Sequence, residues 1–154
     1  MSTSPQNSAL EIRLAERQDL PTILEMLQRD WVSQPPSQAA TVQQQITAFD
    51  EISTHPDNEL VVATMGGEIV ATLQLTFIPG LIYGWRAQVE GVRVREDIRN
   101  QRIGTRLMEW VIQRARDRQC RLIQLTTNRA RVDAQRFYVR LGFKASHVGM
   151  KLHL

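Results

Sequence analysis

The chain lacks the features that would mark it as secreted, membrane-spanning or metal-dependent. Its 154 residues include one cysteine, which excludes an internal disulfide and suits a reducing, cytoplasmic setting. No apolar run approaches the roughly eighteen residues that a membrane span requires. Residues 1–9 have neither a basic start nor an apolar stretch, so they read as a flexible tail rather than a secretory signal. The three histidines, His55, His147 and His153, show no His-Glu-x-x-His spacing, and no metal site is expected. A Gly-x-Ser-x-Gly elbow is also missing, which removes the usual mark of a serine hydrolase. Aromatic residues make up 6% of the chain and are not interleaved with the basic ones, which argues against a nucleic-acid-binding module despite a pI near 9.6.

With 42% apolar and 23% charged residues, the composition is that of a globular protein. Its length suits one domain, expected over residues 10–154. The net charge of +3 conceals an asymmetry. Residues 1–85 hold three arginines and ten carboxylates, a balance of −7, whereas residues 86–154 hold sixteen Lys or Arg and six carboxylates, a balance of +10. A basic half suits a ligand with several phosphates, and an acidic half suits a cationic one. Arg114, Arg116 and Arg118 are expected only to solvate a helix face. Cys120 reads as a small core residue rather than a nucleophile.

The order of elements follows from periodicity. Leu10 to Leu14 alternates as a strand, and Asp19 with Pro21 starts a helix whose stripe is Ile23, Leu24, Leu27 and Trp31. Ser33-Gln34-Pro35-Pro36-Ser37 breaks that helix, because prolines cannot continue it. A second helix is expected over residues 40–52, with Val42, Ile46, Phe49 and Ile52 inward. Residues 60–64 and 69–77 form a hairpin around Gly66-Gly67, whose positive φ suits a tight turn. A loop carrying Tyr83, Trp85 and Arg86 precedes a further strand at residues 88–94. Then come a helix, a strand at residues 122–127, a short helix around residues 133–138 that ends before Gly142, and a last strand from Ser146 to Leu152. This order predicts an α/β domain with a central, largely antiparallel sheet and about four flanking helices, the sheet turning parallel near residues 88–94.

The junction after residues 88–94 is the most informative part of the chain. Alternation puts Gln88, Glu90, Val92 and Val94 on one strand face and Val89, Gly91 and Arg93 on the other. Arg99-Asn100-Gln101-Arg102-Ile103-Gly104-Thr105 leads into a helix with Ile103, Leu107 and Val111 on its apolar stripe. The first turn of a helix has backbone N–H groups without intrahelical partners and about half a positive charge from the macrodipole, so a pyrophosphate fits there.

Here the sequence resembles the GNAT superfamily of N-acetyltransferases, whose pyrophosphate loop reads Arg or Gln, two free positions, Gly, one free position, Gly or Ala. Arg99 and Gly104 match its ends, and Arg102 replaces the first glycine. A second block agrees: Ala134, three residues, Tyr138, then Leu141-Gly142-Phe143. Thr127-Asn128, Arg129, Arg131, Asp133-Ala134, Arg136-Phe137-Tyr138 and Ser146-His147 are similar to the arrangement in small-amine acetyltransferases of the aminoalkylphosphonate type. The resemblance covers most of residues 10–154 as a fold and is specific from about residue 88 onward.

What the resemblance implies is acetyl-CoA as cosubstrate, bound by Val92, Val94, Arg99, Asn100, Gln101, Arg102, Ile103, Gly104, Thr105 and Asn128. The Val92 N–H would donate to the thioester oxygen, Val94 would pair with the pantetheine amides in a slot where the strand of residues 88–94 splays from that of residues 122–127, and Tyr138 would protonate the departing sulfur. Acetyl transfer also needs a neutral amine, and Glu90 is the candidate to take its proton, directly or through a water. Each residue keeps a plainer reading: an ion pair of Glu90 with Arg86 or Arg93, packing for Tyr138, a turn for Asn128 and a structural role for His147. The acceptor expected is the primary amine of a small molecule. The alternatives are a protein or peptide acetyltransferase with an open groove at residues 33–40 and Tyr83 to Arg86, or a non-catalytic acyl-CoA sensor. Homodimers are frequent in the resembled family.

Overall fold

A computed structural model describes residues 9–29 and 39–154. Trp31, the break at residues 33–37 and residues 1–8 of the expected tail lie outside the described residues. The chain divides into two compact units, one ending at Gln124 and the other running from Leu125 to Leu154.

β1 (Leu10–Leu14), β2 (Asn58–Met65), β3 (Glu68–Ile78), β4 (Arg86–Val94) and β5 (Leu122–Leu125) form one sheet in that order, all of it in the first unit except Leu125, the last residue of β5. The pairs from β1 to β4 are antiparallel, while β5 runs parallel to β4. The β2–β3 hairpin turns at Gly66 and Gly67, with φ of 59° and 82°, the left-handed conformation that glycine adopts without steric cost. Helices α1 (Leu20–Gln28), α2 (Val42–Thr54) and α3 (Ile103–Asp117) complete this unit. Thr41 caps α2 reciprocally: its hydroxyl accepts from the Gln44 N–H and its own N–H donates to the Gln44 carboxamide. That cap starts the helix two residues later than expected and leaves Val42 exposed rather than inward, with Phe49 as its buried anchor.

Both faces of the sheet are covered. Val61, Val62, Ala63, Leu73, Leu75, Phe77, Ala87 and Val89 are almost wholly buried, as are Ile103, Leu107, Met108 and Val111 of α3. Burial at roughly 25 cal/mol per Å² of apolar surface makes these residues the main source of stability.

Two buried carboxylates are held by arginines. Glu59 on β2, 6% exposed, accepts from Nε and Nη2 of Arg114 on α3. This bond raises the arginine's pKa above its ordinary value. One turn later Arg118 pairs with Asp57, and its guanidinium lies 4.4 Å from the centre of the Phe77 ring. Arg114 and Arg118 therefore do not merely solvate their helix; they fasten α3 to the sheet. The helix period of 3.6 explains the pairing, since residues four apart share a face.

The other carboxylate, Asp19, is 6% exposed and takes a fork of two bonds from Arg13, at 2.6 and 3.1 Å, plus the Glu16 N–H at 2.7 Å. Its pKa falls below the ordinary 3.8, chiefly through the bond to Arg13, although burial acts in the opposite sense.

In the second unit, α4 (Val132–Arg140) ends at Gly142, whose φ of +97° and N–H bond to the Val139 carbonyl make the expected glycine stop. The expected last strand does not form. Residues 147–154 have no regular structure, and Val148, Met150, Leu152 and Leu154 are exposed. Their alternation is that of a half-buried strand, but alternation makes a strand only where a neighbouring ladder accepts it.

Replacing Arg114 by Met should leave Glu59 buried without its partner and lower stability by about 2 kcal/mol in urea unfolding, moderated because Arg114 is partly solvated. Arg116→Met, at an exposed neighbour, should change it by less than about 0.5 kcal/mol. Because the Asp19 pKa is depressed in the folded state, its contribution is present above its unfolded pKa and is lost as pH falls through the folded value. Asp19→Asn should therefore destabilise the protein at pH 7, with the gap to wild type closing as pH falls below the 3.8 region in a series of melts.

Candidate active site

The candidate site is built around an irregularity in β4. Gln74 pairs with Glu90, and Thr72 with Arg93, so two residues on β3 span three steps on β4. The extra residue is absorbed at Gly91, whose φ is +61°. This is a β-bulge, and it changes which face each later side chain occupies. Glu90 and Arg93 therefore lie on the face of Gln74 and Thr72, while Val94 joins Ala71 on the face packed against α3. The strict alternation that put Glu90, Val92 and Val94 together does not hold, since an inserted residue inverts the parity of the pleat. The isolated glycine inside the strand was the available signal. A bulge also removes its extra residue from the ladder, so backbone groups here are available to a ligand.

A side chain at position 91 would not fit. A Cβ built there would come within 3.2 Å of Leu27 Cδ2 on α1, in addition to the cost of its positive φ. Leu27, Leu60, Thr72, Leu73, Gln74, Glu90 and Gly91 line a cavity of about 200 Å³. Glu90 is exposed into it. Among the described residues its carboxylate has no ion pair or hydrogen bond, so the pairing with Arg86 or Arg93 is not formed. Arg93 instead donates from Nη1 to the Val92 carbonyl at 2.9 Å.

Beyond β4 the chain makes a 3-10 turn, Glu96–Gln101, and then starts α3. Arg102 stands at the start of that helix with φ 57° and ψ 21°. It takes the left-handed conformation that glycine adopts freely, although it is an arginine, and the cost is about 1–2 kcal/mol. The Arg102 carbonyl accepts the first helical bond, from the Arg106 N–H at 3.0 Å. By helix geometry the N–H groups of Ile103, Gly104 and Thr105 have no intrahelical acceptor.

Ile103 itself is buried and anchors the turn, so only its backbone can serve a ligand. Gln101, Arg102 and Arg106 are exposed, as is Arg99, which lies 3.5 Å from Glu96. The acidic residues of the turn are engaged: Asp97 is paired with Arg95, which lowers its pKa, and Arg95 also reaches Glu68. What the turn offers outward is thus backbone N–H groups, a helix dipole and guanidinium charge, the chemistry that fits a pyrophosphate.

The other candidates lie in the second unit. Tyr138 on α4 is half-buried and packs edge-on against Phe137 and Phe143, with ring centres 5.2 and 5.7 Å away. The Asn128 carboxamide oxygen accepts from the Ala130 N–H at 2.9 Å, and its carbonyl accepts from the Arg131 N–H, so it forms the turn into α4. His147 is exposed, with Nδ1 2.7 Å from the Ser146 hydroxyl. Of the groove suggested for a protein substrate, residues 33–38 lie outside the described residues, and Tyr83 is exposed.

A match to the acetyltransferase (GNAT) family covers residues 20–143. The chain belongs to the GNAT acetyltransferase family. It is 34% identical over 93 residues to an aminoalkylphosphonate N-acetyltransferase from Salmonella typhimurium, a match spanning 60% of each protein. Among solved structures it is similar to a protein described as a transcriptional regulator from Bacillus halodurans, at 45% identity and a TM-score of 0.85, covering 95% of this chain and all of that one. It is also similar to a putative acetyltransferase from Agrobacterium tumefaciens, at 28% identity and a TM-score of 0.81, covering 94% and 99%. The cosubstrate of this family is acetyl-CoA. No helix of the described residues is long and apolar enough to cross a membrane.

Arg102→Gly separates two effects of one residue. It should raise stability by up to about 1 kcal/mol by relieving the left-handed backbone, while weakening CoA more than dephosphorylated pantetheine in calorimetric titrations. Equal loss for both ligands would remove Arg102 from the phosphate site.

Proposed function

We propose that this protein is an acetyl-CoA-dependent N-acetyltransferase that moves an acetyl group directly to the primary amine of a small molecule. The observation that carries the reading is Glu90: an unpaired carboxylate facing a compact cavity at a strand bulge, in the unit that also contains the anion-binding turn. Acetyl-CoA supplies the acetyl group as a thioester. Arg99, Arg102 and the N–H groups of Gly104 and Thr105 hold the pyrophosphate, with Asn100, Gln101 and Ile103 shaping the turn. The Val92 N–H, at the bulge, donates to the carbonyl oxygen as charge develops there. Val94 pairs with the pantetheine amides, and Asn128 shapes the turn into α4.

Glu90 accepts the proton of the bound ammonium, directly or through a water, so that a neutral nitrogen attacks the carbonyl carbon. As the carbon–sulfur bond breaks, the Tyr138 phenol donates a proton to the leaving sulfur. A free phenol has a pKa near 10, so it carries its proton at neutral pH. The small cavity favours a compact amine over a peptide chain, and the Salmonella relative puts aminoalkylphosphonates in the panel of acceptors to test. A homodimer and a cytoplasmic setting are part of the same reading.

A second reading has its own observation. The similarity to a protein described as a transcriptional regulator favours a non-catalytic acyl-CoA sensor. The two part at Tyr138. For an enzyme, Tyr138→Phe should cut turnover at least about tenfold and leave acetyl-CoA affinity within twofold. For a sensor, an amine panel should release no CoA thiol at all, although acetyl-CoA binds.

If Glu90 is the base, Glu90→Gln should lower kcat/KM by about 10²- to 10⁴-fold at pH 7, where the amine is protonated, and by less as pH approaches the amine pKa. A loss of equal size at every pH would mean that Glu90 serves structure instead.

A further inference from the structure

The face of β3 that looks into the cavity carries three polar side chains, and two are occupied. The Thr72 hydroxyl donates to the Val61 carbonyl at 2.9 Å, and the Thr76 hydroxyl is bonded to the Asn58 carboxamide oxygen at 2.7 Å. Gln74 lies between them, half-buried, and among the described residues its carboxamide has no hydrogen-bond partner. Half-buried and unbonded at the cavity wall, this amide is open to a ligand that enters there. Its position is specific. Gln74 is the direct cross-strand partner of Glu90, and both line the cavity. Side chains opposed in this way have Cβ atoms about 5 Å apart.

The remaining lining is Leu27, Leu60, Leu73, Gly91 and the already bonded Thr72. Among the described residues the whole lining holds one carboxylate, that of Glu90, and no cation.

From this pairing we propose that Gln74 is a specificity-determining residue: the cavity takes a short primary amine with a neutral hydrogen-bonding group, such as a hydroxyl or amide, two or three bonds from the nitrogen. The proposal rests on the reading of Glu90 as the group that faces the acceptor nitrogen. With the ammonium at Glu90, a substituent that distance away reaches the Gln74 carboxamide, which both donates and accepts. The leucines cover the carbon skeleton. An acceptor with a phosphonate or carboxylate would bring an anion beside the Glu90 carboxylate, where the described lining residues supply no compensating charge, and is disfavoured. Sites built to bond a substrate polar group reject the analogue that lacks it, because the protein group is then left unsatisfied.

Three probes of similar length test this: ethanolamine, n-propylamine and 2-aminoethylphosphonate. The wild-type protein should acetylate ethanolamine with a kcat/KM about tenfold above that for propylamine, the size expected of one net hydrogen bond, and 2-aminoethylphosphonate should be the poorest of the three. Gln74→Leu should lower the ethanolamine value to that of propylamine, leave propylamine unchanged and leave acetyl-CoA affinity unchanged, the last also showing that the variant is folded. Equal losses for both neutral amines, or a preference for the phosphonate, overturn the proposal.

Saturation-transfer NMR of the same amines with the CoA-loaded wild type and Gln74→Leu separates the two readings. Selective ethanolamine binding that Gln74→Leu abolishes, without turnover, supports the pocket assignment and overturns acetyl transfer. The absence of both turnover and selective binding overturns the pocket assignment.

Discussion

The bulge at Gly91 is the constraint on which the arrangement of the site depends. Without the extra residue, β4 would carry Glu90, Val92 and Val94 on one face and the ladder to β3 would run uninterrupted. With it, Glu90 keeps its place opposite Gln74 on the face toward α1, while Val94, beyond the bulge, is carried to the α3 side where Val89 also lies. The cost is a backbone that only glycine adopts without strain, pressed close to Leu27. The result is one strand that serves as both core and cavity wall.

Charge is organised on the same economical plan. The contrast between an acidic first half and a basic second half is visible in the chain, but much of it is spent internally. Glu59 and Asp57 from the acidic half bind Arg114 and Arg118 from the basic half, and so couple β2 and its entry to α3. The arginines before α3 remain directed outward, at the end of the helix where the dipole is positive. The long-range asymmetry therefore has two parts, one that fastens the helix and one that suits it to an anion.

Much of this was legible in the sequence, for identifiable reasons. The β2–β3 hairpin, the strand leading to the basic turn and the amphipathic α3 each follow from local periodicity and turn chemistry. Strand alternation failed where the outcome depended on a neighbour. The bulge is set by register with β3, and the alternation from Ser146 to Leu152 formed no strand. Val42 turned outward because the Thr41 cap fixed where α2 begins. Gln74 was inconspicuous in the sequence, since a polar residue in an alternating strand is ordinarily solvent-facing. Only the cross-strand register with Glu90 distinguishes it. The left-handed Arg102 had a partial signal in its alignment with a glycine position, but only the structure shows an arginine accepting that backbone.

Cys120 bears on how the chemistry can be followed. It is the chain's single thiol, half-buried, and burial pushes its pKa above the ordinary thiol value in spite of the nearby Arg118 charge. Thiolate, not thiol, reacts with disulfide and alkylating reagents, so this side chain is a slow competitor for them at neutral pH. A colorimetric reagent added to a running reaction would consequently register free CoA against a background limited to one sluggish equivalent per chain. The protein is thus suited to continuous optical assay in its native sequence, with no cysteine replaced.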